Sequence, residues 1–297
     1  MEFTGGDGAP PRNSPLAIAS VLLLVLLVVA AVVLVPKLTR SADGSPVAGG
    51  QARESGRDAG QDSGGAPVLP PEASPLLAPG VHLTPVTCAL PGLKRTAEAL
   101  LAFYQSGIGC LDTAWQGALG QAKRPFTKAG VQLSEPQASG CGVAPSKNEA
   151  TAYYCSGDRA IYMLRDRVLE AADVIPAAHL AVLAHEYGHH VQELSGIMTA
   201  VELKMSSADE STPADKELSR RVELQANCFA GLFAAAASGR GDVTKAVADK
   251  AVSEFGNTGD SDSHGTRKHQ LWWARAGLGA ADTSACNTFT APAADVS

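Results

Sequence analysis

The segment His185-Glu186-Tyr187-Gly188-His189 constrains this chain more than any other stretch, because it reads H-E-x-x-H within a run of helical periodicity. On an α-helix, residues four positions apart lie on one face, so His185 and His189 can present two imidazole nitrogens to one ion. Zinc is bound by such pairs, and a catalytic zinc site keeps one position for water. Glu186 borders the same face and can take a proton from that water. The motif therefore predicts metal-assisted hydrolysis.

The residues around the motif favour a helix over a loop. Pro176 suits the first turn of a helix, and Gly196 is a typical stop signal. The apolar face between them consists of Leu180, Leu183, Ala184, Tyr187 and Val191. The alternative to a metal site is a helix that carries ordinary surface histidines.

The overall charge and composition exclude some classes of partner. The chain has 297 residues, a formal net charge of −6 and no cluster of basic residues, which argues against nucleic acid as a partner. Its length accommodates one or two domains.

The first 79 residues differ in composition from the rest. Residues 1–15 are rich in Gly and Pro, and we expect them to be disordered. In residues 16–35 only Ser20 is polar, and such a segment can cross a hydrocarbon core about 30 Å thick as a helix. We expect a retained transmembrane helix, because no A-x-A-like cleavage site follows it; a buried core helix is the alternative. Residues 36–79 resemble a flexible linker.

The cysteines indicate the compartment of the C-terminal part. All six follow the apolar segment: Cys88, Cys110, Cys141, Cys155, Cys228 and Cys286. An even number is typical of disulfides in an oxidising compartment. We therefore expect a single-pass protein of the cell membrane with its C-terminal domain extracytoplasmic, although Lys37 and Arg40 weakly favour the opposite orientation.

The disulfide pairing is open among 15 connectivities. Cys141 and Cys155 flank a loop rich in Gly, Pro and Ser and are paired for that reason. Proximity and elimination suggest Cys88 with Cys110 and Cys228 with Cys286.

The folded domain is expected at residues 80–290, beginning near Val81, with a tail at 291–297. Helical spacing predicts two helices at 94–105 and 110–122, separated by Gly107 and Gly109. Residues 131–134, 152–155 and 160–164 look extended, with a hairpin as the simplest arrangement. The sequence thus predicts an α+β fold, mostly helical with a small antiparallel sheet.

Two histidines leave a zinc ion one protein ligand short. The H-E-x-x-H-x-x-G-x-x-H extension is absent, because Gln192 and Ser195 occupy its last two defining positions. The alternative is a carboxylate from a following helix, and Thr212-Pro213 predicts such a helix, running to about Ala237. Our choice is Glu223, because Asn227 lies one turn later and can hold a ligand histidine. Its rivals are Glu217, Asp215 and Glu210, and a solvated helix charge is the plain alternative.

Three blocks of sequence carry a resemblance. They are 184–192 (AHEYGHHVQ), 223–231 (ELQANCFAG) and 263–266 (SHGT) followed by Trp272-Trp273. Together they resemble, over about residues 81–290, the bacterial neutral zinc metallopeptidase family. The resemblance implies an N-terminal membrane span, a zincin-like metallopeptidase domain with one catalytic Zn²⁺, and Glu223 as the third ligand. Asn227 stands where the family pattern leads us to expect aspartate.

These observations predict a membrane-anchored endopeptidase that acts on peptide or protein substrates, with Glu186 as general base. His264, in the loop before the last helix, can donate to the oxyanion formed from a peptide carbonyl. A helix-capping or surface histidine is the alternative at this position. By analogy with zincins, the strand at 160–164 lies beside the cleft and binds an extended peptide. The alternatives are an inert zinc-bearing binding module at the membrane and a zinc amidase acting on a non-peptide amide such as a cell-wall linkage.

Overall fold

The computed structural model describes residues 68–135, 139–147, 150–205 and 212–297. The expected disordered tail at 1–15, the expected membrane span at 16–35 and most of the expected linker lie outside these ranges. Within them, none of the helices combines the length and apolar character that a membrane crossing requires.

The described residues form seven α-helices and a three-stranded sheet. In chain order they are α1 (Ala97–Gln121), β1 (Gly130–Gln132), β2 (Ala152–Cys155), β3 (Ala160–Met163), α2 (Arg165–Ala172), α3 (Pro176–Ser195), α4 (Ile197–Glu202), α5 (Pro213–Ala237), α6 (Lys245–Glu254) and α7 (Arg267–Gly279). Short 3-10 helices span Pro71–Ala73, Pro75–Leu77, Thr283–Cys286 and Ala293–Asp295.

Local signals fix both ends of the motif helix α3. Pro176 occupies its first turn, and Gly196 ends it in the left-handed conformation with φ 78°, which glycine adopts without steric cost. The start of α5 is equally local, because the side chain of Thr212 accepts a hydrogen bond from the Asp215 backbone N–H. Both helices occupy the positions expected from the sequence.

The prediction of two helices before the sheet is wrong, because residues 97–121 form the single helix α1. Gly107 lies inside this helix, and a Cβ atom there would come within 2.6 Å of Leu183 Cδ2 on α3. The glycine thus permits close packing between the two helices, which outweighs its low helix propensity.

The prediction of an antiparallel sheet is also only partly correct, because the sheet is mixed. Its strand order is β1-β3-β2. β2 and β3 form the expected antiparallel pair, whereas β1 lies parallel to β3. A parallel neighbour requires a long connection between the two strands, and here the chain from β1 to β3 passes through β2.

The packed region begins earlier than the expected boundary near Val81 and includes the expected tail. Leu76 and Leu77 are buried in the core. At the other end Val296 is buried as well, and the indole N–H of Trp273 donates to the Asp295 carbonyl. Both segments contribute to the hydrophobic core.

The three disulfides have the pairing expected from the sequence. They join Cys88 to Cys110, Cys141 to Cys155 and Cys228 to Cys286. The third links α5 to the 3-10 helix near the C-terminus and so ties the end of the chain to the core.

Helix α5 packs closely against two other helices, one on each side. A Cβ atom at Gly188 of α3 would lie only 3.0 Å from Cα of Ala226. On the other side, a Cβ atom at Gly231 would collide with the Ala274 carbonyl of α7. The backbones of α3 and α5 therefore approach closely beside the motif, and this contact sets which residues of α5 face its histidines.

Candidate metal centre

One nitrogen from each motif histidine and one oxygen from Glu223 converge on a common point. The Nε2 atoms of His185 and His189 are 3.2 Å apart. Glu223 Oε2 lies 3.2 Å from the first and 3.5 Å from the second. The potential ligand atoms of the three residues all lie within 4.8 Å of one another.

The outer ring nitrogens of both histidines are held by side-chain amides. His185 Nδ1 lies 2.8 Å from Asn227 Oδ1, and His189 Nδ1 lies 2.9 Å from Gln192 Oε1. The orientation of the Gln192 amide is fixed, because its nitrogen donates to the Val222 carbonyl and to Gln225 Oε1. Each Nδ1–H therefore donates to an amide oxygen, which leaves the Nε2 lone pair directed at the centre.

The electrostatics of the centre favour a positive charge beside Glu223. Burial raises the pKa of Glu223, but the imidazoles of His189 and His264 outweigh burial and hold it well below its usual range. Burial lowers the pKa of His189, but the Glu223 carboxylate outweighs burial and raises it to about 9. A proton or a metal cation can supply the charge that this carboxylate favours, so the two compete for the same site.

The donor set fits zinc. Two imidazole nitrogens and one carboxylate oxygen form the His₂Glu combination found in catalytic zinc sites. In addition, Glu223 Oε2 is buried and receives no hydrogen bond from the described part of the chain. A buried carboxylate oxygen without a donor is costly, and a cation bound between the three groups removes that cost.

The rival carboxylates have other partners or lie outside the described ranges. Glu217 pairs with Arg221 at 2.8 Å, and Asp215 is buried beside Thr212 at the start of α5. Glu210 is not among the described residues. Of the four candidates, the structure brings Glu223 to the histidine pair.

Glu186 and His264 border the same centre. Glu186 is only 7% exposed, yet it lines the cavities on both sides of the motif. His264 Nε2 lies 3.3 Å from Glu223 Oε2, and its Nδ1 contacts Ser263 Oγ at 2.9 Å. The loop before α7 thus brings an imidazole to the face of the centre that is open to the cleft.

Two cavities, of about 420 and 480 Å³, meet at the centre. Both are lined by Ala150, Ala152, His185, Glu186 and His264. They therefore form one cleft that extends in two directions from the motif.

The strand that lines this cleft is β2 rather than the expected strand at 160–164. β3 lies between β1 and β2, so both of its edges are paired. β2 is an edge strand, and its residues Ala152, Tyr153 and Tyr154 line the cavity of about 420 Å³. Tyr154 is held there by its hydroxyl, 2.9 Å from His190 Nδ1.

Gln192 has a role that the sequence pattern did not predict. In the sequence it only excluded a longer histidine motif, whereas the structure places its amide oxygen 2.9 Å from His189 Nδ1. The available signal was its position three residues after His189, since side chains at that spacing meet on one helix face.

Comparisons with known proteins agree with this site. A family model described as "Putative neutral zinc metallopeptidase" matches residues 90–289. The Escherichia coli K12 protein YpfJ is 28% identical over 193 residues, which are 55% of this chain and 65% of that protein. The Mycobacterium tuberculosis H37Rv protein Rv2575 is 29% identical over 210 residues, 61% of this chain and 68% of that protein. Both bear the printed description "uncharacterized", and the chain spans just under two thirds of the length of YpfJ. No solved structure matches.

The family match covers about two thirds of the chain and includes α1, the sheet and every residue of the centre. This chain therefore belongs to the neutral zinc metallopeptidase family.

Proposed function

We propose that the chain is a zinc-dependent endopeptidase whose centre consists of His185, His189 and Glu223, with Glu186 as general base. The observation that carries the proposal is the convergence of these three ligand atoms beside a buried glutamate within an open cleft. Membership of a zinc metallopeptidase family supports it.

The geometry of the centre suggests a role for each ligand residue. Bound zinc would polarise the scissile carbonyl and make water acidic enough to attack near neutral pH. His185 and His189 would offer Nε2, because Asn227 and Gln192 hold their Nδ1–H groups. Glu223 would contribute the third ligand and one negative charge.

Glu186 and His264 would handle protons and developing charge. Glu186 accepts the proton of the attacking water and passes it to the leaving amine. His264 borders the centre on the open side of the cleft, where an imidazole N–H can donate to the oxyanion. Proton transfer and oxyanion stabilisation would thus come from different elements, α3 and the loop before α7.

The cleft favours an extended substrate. The edge strand β2 can pair with a peptide through backbone hydrogen bonds, independently of the peptide's side chains. Because the cleft continues on both sides of Glu186, a chain can lie across the centre with residues in both directions. This arrangement supports internal cleavage over removal of single terminal residues.

We also propose that the domain acts outside the cytoplasm, anchored through residues 16–35. The three disulfides support an oxidising compartment, and the apolar run supports the anchor. Its substrates would then be proteins or peptides near the membrane surface.

The test measures zinc content and peptide cleavage by the full chain in detergent micelles. The wild-type chain is expected to bind one zinc ion and to cleave an internally quenched peptide library. Glu186→Gln should keep the zinc and lose cleavage, whereas Glu223→Ala should lose both. Glu98→Gln, an exposed carboxylate at the start of α1, is the matched control and should keep both.

Two outcomes would contradict the proposal. A chain without zinc affinity would remove the centre as assigned. Stoichiometric zinc without cleavage of any peptide would favour the zinc-bearing binding module or a non-peptide amide as substrate.

A further inference from the structure

The cavity of about 420 Å³ beside the centre carries an uncompensated negative charge. Among the described residues, its wall includes Glu193 and Glu202 but no lysine or arginine. Within the described part of the chain, neither carboxylate has a hydrogen-bond or ion-pair partner. Lys204, two residues after Glu202, is already paired with Glu72 at 3.1 Å.

Both carboxylates follow the motif along the chain and line the same cavity as the motif histidines. Glu193 follows His189 by four residues, so it lies one turn further along the same face of α3. Glu202 ends α4, the short helix that follows α3 after Gly196. Two consecutive helices thus direct acidic groups to one end of the cleft.

The two groups repel each other. Burial raises the pKa of Glu193, and the charge of Glu202 raises it further. A cation placed between them would remove this repulsion.

The other branch of the cleft differs, because its acidic residues Glu254 and Asp260 already have partners. Glu254 is paired with Lys250 and Asn257, and Asp260 accepts a hydrogen bond from the Arg267 backbone N–H at 2.6 Å.

The same cavity wall also carries apolar side chains. Met198 and Val201 of α4 and Val222 of α5 line it together with the two carboxylates. A lysine or arginine side chain matches such a wall, because it combines an aliphatic stem with a charged end. An acidic side chain would meet two like charges.

We propose that Glu193 and Glu202 form a specificity pocket that selects a substrate with a lysine or arginine side chain close to the scissile bond. The inference rests on the proposed peptidase activity and names the substrate class of the same cleft. The apolar wall binds the stem of the basic residue, and the two carboxylates bind its ammonium or guanidinium group.

The experiment compares peptides that differ at one position. In a cleavable peptide, each residue flanking the scissile bond is replaced in turn by lysine, arginine, norleucine or glutamate. At one position, kcat/KM should be about tenfold higher for lysine than for norleucine, the size expected for one charge-assisted hydrogen bond. Glutamate should be the poorest residue there.

Variants of the two carboxylates test whether they cause the preference for lysine over norleucine. Glu193→Gln and Glu202→Gln should each reduce the lysine-to-norleucine ratio, and the double variant should bring it to about one. Glu193→Lys should reverse the order of lysine and glutamate. Glu98→Gln removes the same charge outside the cleft and should leave the ratio unchanged, and thermal unfolding of each variant verifies that it is folded.

A binding measurement separates this inference from the proposed activity. Zinc-loaded Glu186→Gln is titrated with the lysine and norleucine peptides by calorimetry, which requires no turnover. Tighter binding of the lysine peptide, lost in the Glu193→Gln/Glu202→Gln background, supports the pocket. Equal binding of the two peptides overturns it, whether or not the wild-type chain cleaves. Cleavage without a preference for basic residues overturns the pocket and leaves the peptidase proposal standing.

Discussion

The two faces of helix α3 carry the same residue types in opposite roles. On the cleft face, His185 and His189 each have one ring nitrogen held by an amide and the other directed at Glu223. On the core face, His190 contacts the Tyr154 hydroxyl with one nitrogen and the Thr127 carbonyl with the other.

His179 follows the core pattern, with Tyr104 and the Asp173 carbonyl as partners. Burial lowers the pKa of both core histidines, whereas the Glu223 carboxylate raises that of His189. A histidine with both nitrogens satisfied supports the fold, whereas one with a free lone pair beside a carboxylate can serve as a ligand. The comparison therefore separates candidate ligands from supporting histidines by their partners and not by residue type.

The largest expected effect comes from substituting one histidine on each face of α3. His185→Phe should abolish stoichiometric zinc binding and leave the fold intact, because its side chain belongs to the centre. His190→Phe should keep the zinc but lower the free energy of unfolding by about 1–3 kcal/mol, since the Tyr154 hydroxyl and the Thr127 carbonyl lose the buried imidazole that both contact. Zinc content and urea unfolding measure both. Loss of zinc in His190→Phe with unchanged stability would reverse the assignment of the two faces.

The next largest effect concerns the side-chain amides that hold the Nδ1 atoms of the two motif histidines. Asn227→Ala should weaken zinc binding about 10- to 100-fold, the usual effect of removing the partner of a ligand histidine. Asn227→Asp should tighten binding, because a carboxylate accepts the His185 N–H more strongly than an amide does. Competition with a chelator of known affinity measures both, with Glu98→Gln as control. Identical affinities in Asn227→Ala and the wild-type chain would mean that this contact does not orient His185.

On the core face, Tyr187 within the motif donates to the buried carboxylate of Asp112 at 2.8 Å. Tyr187→Phe removes this donor and should lower the free energy of unfolding by about 1–3 kcal/mol. Combining it with Asp112→Leu should cost less than the sum of the two single changes, because no buried carboxylate is left without a donor. Strict additivity in urea unfolding would show that the two side chains are not coupled.

The smallest effect concerns pH and stability. Because burial lowers the pKa of His179 in the folded state, the unfolded chain binds its proton first as the pH falls below about 6.5. The folded state should therefore lose stability from that pH downwards, by at most about 1.4 kcal/mol per pH unit from this group. His179→Phe should flatten the dependence between pH 6.5 and 5.5, which unfolding at several pH values would measure. An unchanged slope would assign the acid sensitivity to other groups.

Local signals made the motif helix and the ligand helix predictable. Pro176, Gly196 and Thr212 act within one helical turn of their own positions, so no distant contact is needed to interpret them. The failed predictions depend on distant contacts. Gly107 would break an isolated helix pattern, but Leu183 packs against it. The strand at 160–164 was expected to bind a peptide beside the cleft, but β1 pairs with its otherwise free edge.

The sequence by itself determined the pair His185 and His189, because helix periodicity places residues four apart on one face wherever the helix lies. The sequence favoured Glu223 but left Glu217 and Asp215 as rivals, and only the tertiary structure brings Glu223, rather than these two, to the histidine pair. The physical reason is the contact of Gly188 with Ala226, which fixes the register of α5 against α3. The local sequence does not determine that register, because it results from packing between two helix surfaces that are many residues apart in the chain.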